Sequence, residues 1–265
     1  MDDNNNPYQA PSANIERPLS GGDVTLLDQP RKLPAGRGWG WIAEGFGFFK
    51  RSPVGWILGL ILGGLGILLL MFIPLIGPIL YMLSFYVVIG GIMLGCHAQS
   101  QGQPFEVRYL LAAFSNPVKL ILLAVVVLIA TIVIMGVTLG PTFVSMMTSP
   151  LGSESETAAA NALLGDPTGF MLKTLIGSLI SIPLAMAIWF APALITLHDV
   201  GLVDALKRSF AGCLKNMLPF LVFGVIGLVL YFLAILPIGL GLLIFLPTFT
   251  AATYVAYRDI FTESA

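Results

Sequence analysis

Long uncharged apolar runs alternate along the chain with short mixed segments whose hydrophobic residues share one helical face. No Asp, Glu, Lys or Arg occurs in the 54 positions between Arg51 and Glu106, a stretch too long for one membrane span of about 20 residues and suited to two. Ile73-Pro74-Leu75-Ile76-Gly77-Pro78 divides it, so one span is predicted near 54–72 and a second near 79–97. A third is predicted near 119–140. The 25 uncharged residues Thr174–His198 give a fourth, and Asn216–Tyr257 gives a fifth and a sixth, divided at Leu236-Pro237-Ile238-Gly239.

A mixed segment precedes each odd-numbered span. Leu206, Phe210, Cys213 and Leu214 share a face opposite Asp204, Lys207, Arg208 and Lys215, the pattern of an amphipathic helix. Pro104 is placed to open another, with Val107, Leu110, Leu111 and Phe114 as its stripe. In the first segment Trp39, Ile42, Phe46 and Phe49 align, weakened by Gly40, Gly45 and Gly47. Each is about 12 residues, too short to cross and long enough to lie in the interface. Ser52-Pro53, Ser115-Asn116-Pro117 and Lys215-Asn216 then lead into the membrane, and Pro53 to Pro74 and Asn216 to Pro237 are both 21 positions. The predicted fold is all-α and integral to the membrane, with six transmembrane helices as three hairpins, each preceded by an interfacial amphipathic helix. Gly55, Gly59 and Gly63, with Gly91 and Gly95, are expected to let spans one and two meet backbone to backbone.

Composition sharpens this reading. Of 265 residues 57% are hydrophobic and 10% charged, with mean hydropathy +0.91, against about 25% charged in soluble proteins. A net charge of −1 leaves no basic excess for nucleic acid. Twelve of the thirteen Lys and Arg residues precede odd spans or follow even ones, the exception being Lys173. The excess of positive charge on one side places both termini in the cytoplasm. Trp39, Trp41, Trp56 and Trp189 are expected at the same interface. Residues 141–172, with three carboxylates before Lys173, are the expected external loop. Residues 1–38, with five prolines and Asn4-Asn5-Asn6, read as a disordered cytoplasmic tail with no secretory signal. Residues 39–261 form the membrane domain, and 262–265 a cytoplasmic end.

Candidate chemistry is sparse. No Asp, Glu, Lys or Arg falls mid-span, which disfavours proton-coupled transport. Ser178, Ser181, Thr131 and Thr250 read as helix-packing hydroxyls, and no Gly-x-Ser-x-Gly elbow occurs. Two cysteines and two histidines fall short of a disulfide framework or a zinc signature, so no catalytic residue, metal or cofactor is assigned. The polar candidates lie where even spans exit: Cys96-His97, His198-Asp199 and Arg258-Asp259. Arranged about a common axis they would converge on a metal or headgroup site. Taken singly, Asp199 would cap the next helix, Arg258 would anchor to phosphates, and His97 would be a polar boundary residue. Pro183 and Pro192 interrupt span four and Pro247 span six, a pattern found at transporter sites and also in ordinary transmembrane helices.

Leu33-Pro34-Ala35-Gly36-Arg37-Gly38 with Trp41 and Phe48-Phe49-Lys50-Arg51-Ser52-Pro53, Trp189-Phe190-Ala191-Pro192-Ala193-Leu194 through His198-Asp199, Ala205–Phe210 to Asn216 with Pro219-Phe220-Leu221, and Tyr257-Arg258-Asp259-Ile260-Phe261 resemble a family of uncharacterised bacterial six-span inner-membrane proteins. More loosely, the hairpins resemble the membrane domain found with glycerophosphodiester phosphodiesterases, although no phosphodiesterase domain is expected here. Asn6-Pro7-Tyr8-Gln9-Ala10-Pro11 looks like short tags that open other bacterial membrane proteins. The resemblance implies location and topology and supplies no chemistry. The function expected is that of a multi-pass inner-membrane protein without enzymatic activity, acting in envelope organisation or as a partner scaffold. Its expected contacts are membrane lipids and a protein partner through the tail, with no nucleic acid. The alternative is a facilitator or channel for a lipid or small uncharged solute.

Overall fold

The computed structural model describes residues 25–74, 76–140 and 165–263. Among them the regular structure is helical: α1 (Arg37–Arg51), α2 (Pro53–Met71), α3 (Ile76–Ser100), α4 (Tyr109–Ala112, followed by a 3-10 turn, Ala113–Ser115), α5 (Val118–Leu139), α6 (Pro167–Trp189), α7 (Ala191–His198), α8 (Leu202–Lys215), α9 (Met217–Ile235) and α10 (Leu242–Phe261). α2, α3, α5, the run Pro167–His198 and α9 are long and apolar enough to cross a membrane. α10, on the expected sixth span, is not among these five. It is 20 residues long, carries Arg258 and Asp259, and is largely buried inside the protein from Ala251 to Phe261. Of the expected external loop, 141–164 lie outside the described residues. Residues 167–172 are helical, because the Asp166 carboxylate accepts the Gly169 amide and starts α6 with Pro167 in its first turn.

α2 packs on α3, α5 on α6 and α9 on α10. Each amphipathic element packs on the second helix of the pair before it: α4 on α3, and α8 on α6 and α7. α1, with no pair before it in sequence, packs on α10. The three units therefore close into a ring. The core lies at the end where the basic residues gather. The opposite halves of α2, α5, α6 and α9 carry exposed Leu, Ile, Val and Phe, as lipid-facing surfaces do.

Packing revises three expectations. α1 buries Trp41, Ile42, Phe48 and Phe49, while Trp39 and Phe46 of the expected stripe are exposed. The reason is its position between α9 and α10: a Cβ at Gly38 would strike the Pro219 carbonyl, and one at Gly45 would strike the Thr248 carbonyl and Ala252. Around Pro104 the chain is not helical. Phe105 is instead buried, its ring stacked 3.8 Å from Trp56, while Leu111 and Phe114 of the expected stripe face outward. Gly55 and Gly59 of α2 do not meet Gly91 and Gly95 of α3. Gly55 faces the Phe105 carbonyl, Gly95 the Phe105 ring and Gly91 the Tyr109 carbonyl, so both glycine faces hold the segment between the two pairs. Trp41 and Trp56 are core residues, whereas Trp39 and Trp189 are exposed.

The two proline turns share a device. Gly77 lies against the backbone of Leu70 and Gly241 against that of Ala234, each seven positions earlier. Replacing Gly55 by Ala puts a methyl into the Phe105 carbonyl, and overpacking of this kind costs typically 1–3 kcal/mol. Gly64 has open space where a Cβ would stand, so Ala there gains up to about 1 kcal/mol of helix propensity. Thermal unfolding in mild detergent should place Gly55→Ala below the natural protein and Gly64→Ala at or above it.

Candidate functional site

The segment before α1 is built into the body. Leu27 and Arg31 donate backbone hydrogen bonds to the Phe261 and Ile260 carbonyls, Glu263 donates to Thr25, and Leu26 bridges antiparallel to Thr262. Arg208 donates to the Leu27 carbonyl at 2.9 Å. Buried Asn216, at the entry to α9, accepts the Leu33 amide and donates to the Arg31 carbonyl, each at 2.9 Å. Residues 25–36, which by composition belong with the tail, thus hold the same place as the linkers before α4 and α8. Those linkers are gripped in the same way. Ser52, at the entry to α2, accepts the Phe105 amide at 3.1 Å. Lys119, at the entry to α5, donates to the carbonyl and carboxylate of Asp199, both at 2.7 Å.

The exits of α3, α7 and α10 meet inside this ring. His97 Nδ1 pairs with the Tyr254 hydroxyl at 3.2 Å, which also pairs with Ser100 Oγ at 3.1 Å. His198 Nε2 pairs with the Tyr257 hydroxyl. The two histidines and two tyrosines, with Leu197, Arg258 and Thr262, line a small cavity with room for about one water molecule. Beside it, Gln99 accepts from Trp56 Nε1 at 3.2 Å and donates to the Phe48 carbonyl at 2.8 Å, tying α3 to both α1 and α2.

A charged network locks α1 to α10. Asp259 accepts from Arg37 Nε at 2.8 Å and from Trp41 Nε1 at 2.9 Å. Arg37 also pairs with Glu44 at 2.9 Å, and Glu44 with Arg258 at 3.2 Å. Burial opposes the Arg37 cation, but the hydrogen bonds and charges of Asp259 and Glu44 outweigh it and hold the guanidinium above its ordinary range.

The structure therefore brings His97, His198 and Arg258 together and sends the other candidates elsewhere. Asp199 takes a left-handed conformation (φ 53°) that ends α7, and the residue capping α8 is Gly201. Asp259 turns to α1. Arg258 pairs with Glu44 rather than standing free for a phosphate. Pro183 and Pro247 lie within continuous helices, and Pro192 follows a break at Phe190. There the Ser209 hydroxyl of α8 enters the ladder, accepting the Phe190 amide at 2.9 Å and donating to the Met186 carbonyl at 2.7 Å. Ser178, Ser181 and Thr250 bond to carbonyls of their own helices. Among the described residues no three His, Cys, Asp or Glu side chains cluster to hold a metal ion. Burial pushes the Cys213 thiol up to about 12, with a smaller opposing effect of Ser209, leaving it protonated near neutrality. Sequence reasoning missed Arg37, Glu44, Gln99, Ser209 and the tyrosines. Tyr254 and Tyr257, three apart beside Arg258 in an apolar helix, were the available signal.

The chain is similar to a curated probable inner membrane protein of Burkholderia thailandensis, 26% identical over 231 residues that cover 84% of this chain and 82% of the relative. No family model and no solved structure matches. The similarity and the apolar helices support a multi-pass helical protein of the inner membrane. They do not extend to glycerophosphodiester phosphodiesterases.

Asp259 serves two donors and its side chain is 16% exposed, whereas Arg258 and Glu44 are 35% and 39% exposed. Asp259→Ala leaves the buried Trp41 Nε1 without its acceptor and Arg37 with Glu44 alone, and should cost about 1–3 kcal/mol. Arg258→Ala loses a surface pair worth about 0–1 kcal/mol. Detergent melting curves should rank Asp259→Ala well below Arg258→Ala.

Proposed function

We propose that this is a non-enzymatic inner-membrane scaffold that recruits a protein partner on its cytoplasmic face. It spans the membrane six times as three hairpins, with both termini cytoplasmic, and the segment before residue 25 carries the partner contact. One observation carries the reading. The polar side chains gathered at the hairpin exits are bonded to one another, and the cavity among them has room for about one water molecule. That space is too small for a substrate or a passing solute. α10 serves as the sixth span despite its charges because they lie in its last turn, at the end shared with the basic residues.

Purification in mild detergent tests the scaffold. A defined protein should accompany the full chain in stoichiometric yield and be lost when residues 2–24 are deleted, with the grip of residues 25–36 left in place. Vesicles containing the purified protein that pass glycerol faster than empty vesicles would overturn the reading in favour of a facilitator. Orientation has its own test. A cysteine replacing Ser155 should react with an impermeant thiol reagent added outside intact cells, and one replacing Lys207 should react only after lysis; the reverse result inverts the topology.

A further inference from the structure

Each amphipathic element presents a second, outward face. On α1, Trp39, Ala43, Phe46 and Lys50 form an exposed stripe spaced by four, three and four residues, with Trp39 54% and Phe46 41% exposed. It runs on into exposed Val54 and Leu58 of α2. On α8, exposed Val203, Lys207 and Leu214 are spaced by four and seven residues, so Leu214 shares the Lys207 face instead of the opposite face expected from the pattern, and they lead into Leu218 and Leu221 of α9. Around α4, exposed Arg108, Leu111 and Phe114 lead into Val118. In all three the apolar positions of an element next to a span continue onto that span's lipid-facing side, and each stripe carries a basic residue, with exposed Asp204 one turn from Lys207 on α8 and exposed Glu106 beside Arg108 near α4.

The α1 stripe has the most complete chemistry. Lys50 Nζ stands 5.0 Å from the centre of the Phe46 ring, and the Arg51 guanidinium 5.8 Å from that of Phe48, contacts that fix both cations at the end of the helix. Among the described residues neither forms an ion pair. Pro53 starts the membrane helix two residues later.

We propose that this junction binds an anionic phospholipid. Lys50 and Arg51 hold the phosphate, Phe46 and Trp39 lie at headgroup level, and the acyl chains run along Val54 and Leu58. The same arrangement around Lys207 and Arg108 gives two weaker sites, Arg108 being partly neutralised by Glu106 at 3.0 Å. A zwitterionic headgroup would set its own cation against the lysine, so the site selects net negative charge. The proposal depends on the scaffold reading only for which leaflet supplies the lipid, and Ser155 labelling tests that point separately.

Native mass spectrometry of the full chain with equal amounts of phosphatidylglycerol and phosphatidylcholine reads the preference directly. Phosphatidylglycerol adducts should predominate. In Lys50→Gln/Arg51→Gln the excess should fall by roughly fivefold per cation removed, from the membrane-surface attraction of a single Lys or Arg. Lys173→Gln, far along the chain at the start of α6, should leave it unchanged. Should the double variant fail to fold, raising salt from about 0.1 to 0.5 M on the natural protein substitutes for it, since the Debye length shortens and the excess should collapse. Equal adducts of the two lipids, an unchanged excess in the folded double variant, or a salt-insensitive excess would each overturn the proposal.

Discussion

A backbone amide or carbonyl left without a partner in hydrocarbon costs several kcal/mol, and a chain that enters the membrane repeatedly faces that cost at every entry and every break. Here the side chain that meets it comes from a different unit. Ser52 takes the amide of Phe105, Asn216 takes the amide of Leu33 and the carbonyl of Arg31, and Ser209 replaces the missing turn at Phe190. Three short polar side chains thus set how the units are placed around one another.

Those bonds require close approach, which glycine permits. Gly38 and Gly45 let α1 lie against the backbones of α9 and α10, while Gly55, Gly91 and Gly95 hold the Phe105–Tyr109 segment from two sides. Lipid tails are as apolar as leucine, so little drives helices together inside a bilayer except packing and hydrogen bonds. This explains why the core gathers at the basic end, where polar bonds are available, and why the far halves of the helices keep their apolar faces turned outward.

Much of this was legible in the sequence. Five of the expected span positions follow from the absence of charge, and the matched Pro74 and Pro237 turns marked where α2 gives way to α3 and α9 to α10. The sequence left two readings of His97, His198 and Arg258 open, convergence if the exits shared an axis or separate boundary roles, and had no feature to choose between them. The partners were not legible, because hydropathy cannot tell a face that meets protein from one that meets lipid: Trp39 and Trp41 look equivalent, yet one is exposed and the other fully buried. Nor could composition show that residues 25–36 are held, since their bonds use backbone groups and partners such as Ile260, Phe261 and Asn216 at the other end of the sequence. Glycine spacing was visible in α2 and α3, but what the glycines faced was not.

The pairing of residues 25–31 with 260–263 has a bearing on biogenesis. Arg31 and Thr262 are 231 positions apart, and at synthesis rates of about 5–20 residues per second the first waits roughly 10–50 s for the second. For most of that time α1 has neither α9 nor α10 to lie against, and until α10 is made the Gly45 face has no cover. A chain that has not yet made α10 leaves the α1 groove around Trp41 and Gly45 open, so the ring closes only when α10 arrives.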